Sequence, residues 1–380
     1  MRRCWMKNHE RLKIAILGTR GIPNRYGGFE ECAEQIAWRM AGRGHDVTVY
    51  SPDGDPFQEA FWRGVRIRRI FCREKRLKIV GTLLYDYLCF RDAGKRDFDI
   101  ILELGYVPAA FFFRLKRSSS AMLITNMDGM EWQRAKWNRM IKVFVRKCEQ
   151  MGVNYSDALV ADNPGIQDYL RIRYGKETVL IPYGAKVPEK ISDRALNEFG
   201  LNPFHYHMLV ARLEPENNIR MILDGAVEAS TGIPFLVVGN HLTRYGARLK
   251  KRYKDYNFIR FLGGIYNYEK LTELRRYCRL YFHGHSVGGT NPSLLEAMAS
   301  NARICAHDNS FNRAVLRDGG EYFSSSADVA RLIEGNPDTT NEFWGKRVHW
   351  NRKRLKEEYN WGKVATQYLE LFETLLQGRK

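Results

Sequence analysis

The stretch HGHSVGGTNPSLLEAM at residues 283–298 combines residue types that could bind a phosphorylated ligand. Asn291 can cap a helix that has Pro292 at its first position. The segment Gly288–Thr290 lies directly before that helix start, where backbone N–H groups and the helix dipole suit a diphosphate. Glu296 lies one turn inside the helix and could accept hydrogen bonds from ribose hydroxyls. Its apolar neighbours favour a buried setting over that of a solvated surface glutamate.

Arg212 is a second candidate for contact with phosphate. It stands in the motif ARLEPENN, after a predicted strand. An arginine side chain is always charged and can form two parallel hydrogen bonds to a phosphate. The alternative is a surface salt bridge from Arg212 to Glu214 or Glu216.

Gly27 and Gly28 form a third candidate site near the N-terminus. They close the loop GTRGIPNRYGG between a strand and a helix, and the first N–H groups of that helix would attract an anion. The loop is not GxGxxG, and Ser51 and Pro52 stand where a dinucleotide-binding fold has its acidic residue, which disfavours an NAD enzyme. The alternative is a tight turn that binds nothing.

Predicted strands and helices alternate along the chain and must position these residues. Strands are predicted at Lys13–Leu17, Asp46–Ser51, Val65–Phe71, Asp99–Leu104, Met122–Asn126, Ala158–Ala161, Val179–Pro182, His207–Val210, Pro234–Gly239, Phe258–Leu262, Leu280–His283 and Ala302–Ala306. Helices are predicted at 29–42, 80–93, 132–155, 219–229 and 361–376. This βαβ rhythm indicates parallel sheets with ligands at the carboxyl ends of the strands. It restarts after a linker at 181–190, so we expect two Rossmann-like α/β domains facing a central cleft.

The composition is that of a folded protein with an anionic partner. The 380 residues carry 61 Lys and Arg against 43 Asp and Glu, a net charge of +18, of which +12 lies in residues 1–186. Such an excess suits nucleic acid, an anionic membrane or a phosphorylated substrate. The seven cysteines are scattered without a CxxC pair, which is typical of reduced thiols rather than of a zinc site. No transmembrane segment or signal peptide is expected.

Four motifs in order resemble those of the family 4 retaining glycosyltransferases of the GT-B fold. They are GTRGIPNRYGGFEE, NMDGMEWQRAKW at 126–137, ARLEPENN and HSVGGTNPSLLEAM. More narrowly, they resemble the bacterial rhamnosyltransferase branch. The resemblance implies an acceptor-binding domain at 1–185, a nucleotide-sugar-binding domain at 186–359, and a last helix, 360–380, that crosses back to the first domain.

The resemblance also implies roles for individual residues. Glu296 matches the glutamate that holds the nucleotide ribose, and Arg212 matches the arginine that binds phosphate. Ile265 ends the turn Gly263-Gly264-Ile265, which resembles the turn whose backbone reads the base. Gly288 stands where the family usually has a glutamate that touches the donor sugar, and Asn217 where it commonly has a lysine. The missing glutamate favours a 6-deoxy sugar such as rhamnose. The predicted donor-binding residues are Gly27, Gly28, Arg212, Asn217, Ile265, His285, Gly288, Gly289, Thr290, Asn291, Ser293, Leu294 and Glu296.

Asp128, in NMDGMEW, resembles the position where the family places an acidic or histidine group near the reacting centre. It follows a predicted strand and should face the cleft, where it would orient or deprotonate the acceptor hydroxyl. Glu131 is the substitute candidate. The alternative for Asp128 is an Asx turn or a helix cap.

No metal and no cofactor besides the donor substrate are expected. The sequence Asp53-Gly54-Asp55 is a DxD match, but it lacks the rest of the architecture of metal-dependent transferases. The paired histidines at 283 and 285 have strand spacing without an evident third ligand.

Two basic runs, Arg63–Lys78 and Arg134–Lys147, and the apolar run Phe111–Phe113 suggest a peripheral membrane patch on the first domain. The alternative is a set of solvated strand and helix faces. Taken together, we expect a retaining, metal-independent transferase at the cytoplasmic face of the plasma membrane. It would move L-rhamnose from dTDP-rhamnose to a lipid-linked saccharide during surface polysaccharide synthesis.

Three alternatives stay open. The same fold could use a UDP- or GDP-sugar. The chain could bind a sugar nucleotide without turnover. It could bind nucleic acid, although no helix-turn-helix, zinc-finger or RNP pattern is evident.

Overall fold

Two β-sheets, one in each half of the chain, form the framework of the computed structural model, which describes residues 11–25, 27–72, 79–118, 120–135, 137–335 and 342–379. The strands are β1 Lys13–Leu17, β2 Asp46–Pro52, β3 Phe61–Trp62, β4 Val65–Ile70, β5 Ile100–Leu104, β6 Met122–Asn126, β7 Ala158–Ala161, β8 Val179–Leu180, β9 His207–Val210, β10 Phe235–Val238, β11 Ile259–Gly263, β12 Leu280–His283, β13 Ile304–His307 and β14 Glu321–Phe323.

The helices between the strands follow the predicted rhythm. They are α1 Gly28–Ala41, α2 Ile79–Ala93, α3 Arg139–Tyr155, α4 Pro164–Tyr174, α5 Arg194–Glu198, α6 Ile219–Glu228, α7 Arg244–Arg252, α8 Tyr268–Tyr277, α9 Pro292–Ala299, α10 Ser310–Leu316, α11 Ser326–Glu334, α12 Glu342–Glu357 and α13 Trp361–Gln377. Short 3-10 segments cover Ala109–Ser118, Glu131–Gln133, Pro215–Asn217 and Arg317–Gly319.

The first sheet has the strand order β3-β4-β2-β1-β5-β6-β7-β8, and the second has the order β11-β10-β9-β12-β13-β14. Apart from the β3–β4 edge pair, the strand pairs are parallel. Parallel strands are buried on both faces, and β5 (IILEL) is buried at each of its five positions. The predicted α/β class with two Rossmann-like domains is confirmed.

The last helix returns to the first domain. Helix α12 packs against α9 of the second domain, whereas α13 packs against α1. The buried amide of Asn126, at the end of β6, donates a hydrogen bond to the hydroxyl of Tyr368 on α13 at 3.1 Å. Arg43, just after α1, donates to the Thr366 hydroxyl at 2.8 Å.

The long helix predicted over 132–155 is wrong at its start. Residues 131–133 form a 3-10 turn, and α3 begins at Arg139 behind Asn138, whose side chain accepts a hydrogen bond from the Ile141 N–H. An asparagine at this position satisfies a helix-start N–H that has no partner within the helix. The residues between Asp128 and α3 therefore form an irregular loop rather than a helix face, and this loop faces the second domain.

Within the described ranges, no helix is both long and apolar enough to cross a membrane. Six cysteines fall in these ranges, and each is buried and free of disulfide bonding.

Candidate active site

Asp128 lies in the loop of residues 127–138 that joins β6 to α3, at the carboxyl edge of the first sheet. Its backbone has a φ of +43° and its N–H donates to the Asn126 side chain at 3.1 Å, which makes an Asx turn. Gly129 follows, and a Cβ built on it would lie 2.4 Å from the Cα of Gly288 in the second domain. The loop that carries Asp128 therefore touches the loop predicted to bind the donor, and Asp128 lies at the junction of the domains.

The surroundings of Asp128 make it hard to ionise. Burial raises the pKa of its carboxyl from 3.8 to about 6, and the negative charge of Glu131 adds to the rise, while Arg134 and Arg212 oppose it. A carboxyl with a pKa near the working pH suits a group that accepts a proton or a hydrogen bond from a sugar hydroxyl.

Glu131 is held differently from Asp128. Its Oε1 lies 2.7 Å from Nε and 2.6 Å from Nη2 of Arg134. The guanidinium of Arg134 in turn lies 3.9 Å from Glu214 of the second domain. Glu131 is thus committed to an ion pair, which favours Asp128 of the two predicted carboxylates. Arg134, which the sequence assigned to a surface basic run, lies in the cleft instead.

Two helix starts approach each other across the cleft. A Cβ built on Gly28, the first residue of α1, would lie 3.3 Å from Cγ of Pro292, the first residue of α9. Asn291 caps α9 by accepting a hydrogen bond from the Ser293 N–H at 2.9 Å. The start of α9 has no acidic residue in its first turn and would attract an anion through its N–H groups and partial positive charge, whereas Glu30 and Glu31 stand in the first turn of α1. Gly27 precedes α1 with a φ of +127°.

Asp162, at the end of β7, binds the glycine loop of the second domain. Its Oδ2 accepts a hydrogen bond from the Thr290 N–H at 3.0 Å, and its backbone oxygen accepts one from the Thr290 hydroxyl at 2.5 Å. A Cβ on Gly289 would lie 1.8 Å from its Oδ1. The Thr290 N–H, predicted to face the donor, is therefore occupied by a carboxylate in this conformation. Burial raises the pKa of Asp162 well above its usual range. No motif around Asp162 predicts this contact.

Arg212 follows β9 and is the exposed cation of the site. Within the described residues it forms no ion pair, and Glu214 approaches Arg134 instead. Asn217 is buried and its amide donates to the backbone oxygen of Arg212 at 2.7 Å. Asn217 thus fixes the loop that carries Arg212, and its amide points back at its own loop.

His285 follows β12, and its ring stacks on that of His283 with centroids 4.3 Å apart. Burial, together with the positive charges of Arg212 and Arg134, lowers the pKa of His285 to about 3. The ring is therefore neutral at physiological pH. Its backbone oxygen accepts hydrogen bonds from the amides of Asn309 and Asn312, which fixes the loop before the glycines.

Glu296 on α9 pairs with a buried arginine. Its Oε2 lies 2.7 Å from Nη2 of Arg275, whose side chain is only 1% exposed. Ser293 accepts from the same guanidinium at 3.2 Å and bonds the Tyr281 hydroxyl at 2.9 Å. Leu294 is fully buried in the core. Of these predicted donor residues, Glu296 has a partly exposed carboxylate. The Ser293 hydroxyl is hydrogen-bonded to Arg275 and Tyr281, and the Leu294 side chain packs in the core.

The turn after β11 lies at the carboxyl edge of the second sheet, on its outermost strand. Gly263 has a φ of +78°, and Ile265, two residues on, is half-buried. Both carboxylates of the DxD match accept hydrogen bonds within the first domain. Asp53 accepts one from the Cys72 N–H, and Asp55 accepts one from the Phe57 N–H in a local turn. Among the residues that the structure describes, no group of three His, Cys, Asp or Glu side chains could hold a metal ion.

The buried carboxylate of Glu149 is linked to the β6–α3 loop by hydrogen bonds. Glu149 on α3 accepts hydrogen bonds from the hydroxyls of Tyr106, Tyr169 and Tyr174 at 3.1, 2.6 and 2.6 Å. The Tyr169 hydroxyl accepts one from the indole of Trp132 at 3.2 Å. This network fixes the 3-10 turn beside Asp128, and the sequence offered no pattern that predicts it.

Comparisons with known proteins fit this geometry. Residues 98–186 match a family described as a domain of unknown function, DUF1972. Over 96% of its length, the chain is 24% identical to an uncharacterized glycosyltransferase, MJ1069, of Methanocaldococcus jannaschii, of which it covers 99%.

Two solved structures share the whole fold. Sucrose-phosphate synthase from Thermosynechococcus elongatus superposes with a TM-score of 0.78 at 19% identity over 97% of this chain and 100% of that one. Anabaena HepE in complex with UDP-glucose superposes with a TM-score of 0.73 at 16% identity over 96% of this chain and 100% of that one. The chain therefore has the two-domain GT-B architecture of these structures.

Proposed function

We propose that the chain transfers a sugar from a nucleotide-sugar donor, held by the second domain, to a hydroxyl of an acceptor held by the first. One observation carries the proposal: the loop of Asp128 touches the glycine loop that precedes α9, and the charges of Arg134 and Arg212 act on the Asp128 carboxyl. Cations and helix starts suit a diphosphate leaving group, and a carboxyl beside them suits the attacking hydroxyl.

We propose that the sugar is transferred with retention of configuration. Among the described groups near Asp128, Glu131 is bound to Arg134, Asp162 accepts from the Thr290 N–H, and His285 is neutral and stacked, so none of the three has the setting of a nucleophile. The acceptor oxygen would therefore attack the face that the diphosphate leaves, and a diphosphate oxygen would receive its proton, with Asp128 orienting the hydroxyl. Arg212 and the first-turn N–H groups of α9 would stabilise the leaving charge.

The donor that we propose is dTDP-L-rhamnose. Gly288 has a φ of +123° and no side chain, and no atom lies within 4 Å of a Cβ built on it. A donor site without a carboxylate at this point suits a sugar with fewer polar groups to bind, such as a 6-deoxyhexose. A UDP-sugar is the second candidate, since HepE was solved with UDP-glucose.

The acceptor that we propose is a lipid-linked saccharide at the cytoplasmic face of the plasma membrane, in the assembly of a surface polysaccharide. The support is the excess of +12 charges in residues 1–186, which would attract an anionic bilayer.

A donor panel tests the proposal. The protein is heated with dTDP-rhamnose, UDP-glucose, UDP-GlcNAc, GDP-mannose or NADH, with and without EDTA, and release of free nucleotide is followed in parallel. A ligand at 100 times its Kd should stabilise the fold by about 2.7 kcal/mol. One sugar nucleotide should stabilise the protein and be turned over, and EDTA should change neither result. Stabilisation without any nucleotide release, even with saccharide acceptors, would support a binding protein instead. No response to any donor would overturn the proposal.

A further inference from the structure

Helix α3 exposes an apolar ridge beside the cleft. Met140 is 81% exposed and Val143 50%, and Phe144 is exposed next to them, one helical turn beyond Met140. Phe144 stacks on Phe111 of the 3-10 segment with centroids 5.2 Å apart, and Leu115 of that segment is exposed as well. Of the predicted run Phe111–Phe113, only the first ring is exposed. Large apolar side chains grouped on one surface typically mark an interaction site.

The ridge continues into a basic pocket. A cavity of about 520 Å³ is lined by Val143, Arg146, Lys147, Gln150, Arg173 and Tyr174. In the described part of the chain, none of its three cations forms an ion pair. The one acid of α3, Glu149, is buried and turned inward to the tyrosine hydroxyls. The pocket therefore presents three cations at the surface, and the carboxylate whose charge reaches one of them, Arg173, is the buried Glu149.

The position of the ridge relates it to the candidate active site. In a βαβ unit the helix starts at the carboxyl edge of its strand and runs back along the sheet. Helix α3 begins at Arg139, eleven residues after Asp128, so Met140 lies at the cleft end of the helix and the pocket further from it. A surface that held a bilayer here would bring lipid-borne groups to the mouth of the cleft.

We propose that the ridge (Phe111, Leu115, Met140, Val143 and Phe144) inserts into the interface of an anionic bilayer and that the basic pocket binds the phosphate of a lipid head group. Charge complementarity and the adjoining apolar side chains favour a lipid over a free phosphate ester, because a free ester would leave the ridge in water. The inference rests on the proposed function for the identity of the acceptor, but vesicle binding is measured without any sugar.

The other basic run of the first domain does not extend this surface. Arg68 pairs with Asp92 at 2.7 Å, and Arg69 donates to backbone oxygens of Phe57 and Glu59. Residues 73–78 of that run lie outside the described residues. Arg68 and Arg69 are therefore engaged in contacts within the first domain.

The test is flotation of the full chain with lipid vesicles. The vesicles contain phosphatidylcholine alone, or phosphatidylcholine with about 30 mol% phosphatidylglycerol, whose negative surface charge attracts basic segments. Wild type should float with the anionic vesicles alone. Replacing Arg146, Lys147 and Arg173 by Gln should weaken vesicle partitioning about 100-fold, since each cation near the surface contributes about a factor of five. The double change Met140→Ser and Val143→Ser should also reduce it at least about tenfold, by the apolar area withdrawn from lipid.

The matched control removes three cations from the second domain. Lys250, Lys251 and Lys254 line a cavity of about 450 Å³ and are exposed. Their replacement by Gln changes the net charge by the same amount but should reduce partitioning less than about threefold. Equal losses in the two triple variants would overturn the proposal, because binding would then follow net charge alone.

Two further arms separate the possible sources of failure. Soluble glycerol phosphate at millimolar concentration should not release the protein from vesicles, and release would assign the pocket to free phosphate esters and overturn the membrane surface. Donor stabilisation is measured on the same variants and should be unchanged. A protein that turns over a donor but ignores every vesicle would defeat this inference alone. One that floats as expected but binds no donor would defeat only the proposed function.

Discussion

Asp128 is the residue whose protonation matters most for the proposed reaction. Its pKa rises from 3.8 to about 6 on folding, because the half-buried carboxyl loses water and faces Glu131. The unfolded chain thus gives up this proton at lower pH than the folded chain does. Ionisation of Asp128 therefore costs folding free energy as the pH rises from about 4 to 6. In return, the site has a hydrogen-bond acceptor that is ionised near neutral pH and can orient the acceptor hydroxyl.

The first prediction concerns this carboxyl. The rate kcat/KM should fall below a pH of about 6, where Asp128 becomes protonated. Asp128→Asn should lower kcat/KM by roughly 100-fold or more and abolish that acidic limb. The measurement is a pH–rate profile for both proteins. Asp168→Asn, which changes an exposed carboxylate paired with Arg171, is the control and should keep the limb. Full activity of Asp128→Asn would exclude this role.

The second prediction separates structure from donor binding at Glu296. Glu296→Gln should lower the free energy of unfolding by about 1.5–3 kcal/mol, because the buried Arg275 loses its charged partner. It should also weaken nucleotide-sugar affinity at least about tenfold, the value of one hydrogen bond to a ribose hydroxyl. Adding Arg275→Met removes the unpaired charge and should restore stability but not affinity. If stability and affinity return together, Glu296 acts only through Arg275.

At the scale of elements, the β6–α3 loop depends on α3 and α4 for its shape. The network that ends on Glu149 joins the 3-10 turn to both helices through Trp132 and Tyr169. A short turn has few hydrogen bonds of its own, so its geometry follows from what it packs on.

The third prediction tests this support. Glu149→Leu leaves three tyrosine hydroxyls without their acceptor and should lower the free energy of unfolding by about 2–4 kcal/mol. Activity should fall through kcat, with donor affinity unchanged, since the second domain is untouched. Glu149→Gln keeps an acceptor oxygen and should recover most of both losses. Denaturant unfolding and steady-state kinetics measure the two effects. A fully stable Glu149→Leu protein would show that water replaces the carboxylate at no cost.

At the largest scale, two of the contacts between the domains are made by glycines. Gly129 touches Gly288, and Gly289 touches Asp162, at separations that leave no room for a methyl group. The closed arrangement therefore brings Asp128 and the starts of α1 and α9 to one place, and it requires glycine at these contacts.

The fourth prediction follows from that contact. In Gly129→Ala, the new Cβ would meet backbone atoms of Gly288 at 2.4–3.1 Å, so the domains must separate. We expect a loss of activity of roughly 100-fold, since misplacement by about 1 Å costs that much, and a larger radius of gyration in X-ray scattering with nearly unchanged thermal stability. Gly54→Ala is the control, since no atom lies within 4 Å of its Cβ. An active, compact Gly129→Ala protein would contradict the closed geometry.

Most of the strands and helices, and the local chemistry of the site, can be predicted from the amino-acid sequence. The strand at Lys13–Leu17 and the cap at Asn291 follow from side-chain types within a few residues of each other. Arg212 and Glu296 were identified by motifs of the same short range. The helix predicted over 132–155 starts too early, because its pattern of apolar and basic residues does not show that the helix begins only after its cap at Asn138.

Which of these residues come into contact depends on the packing of the two domains. Thr290 and Asp162 are 128 residues apart, and Asn126 and Tyr368 are 242 apart, yet each pair is hydrogen-bonded. Arg134 reads as surface charge in the sequence and lies between Glu131 and Glu214 in the fold. Such contacts depend on how two sheets and the returning helix α13 pack together. That arrangement is determined by which faces of the sheets and helices are buried against each other. The spacing of neighbouring residues in the sequence does not reveal it.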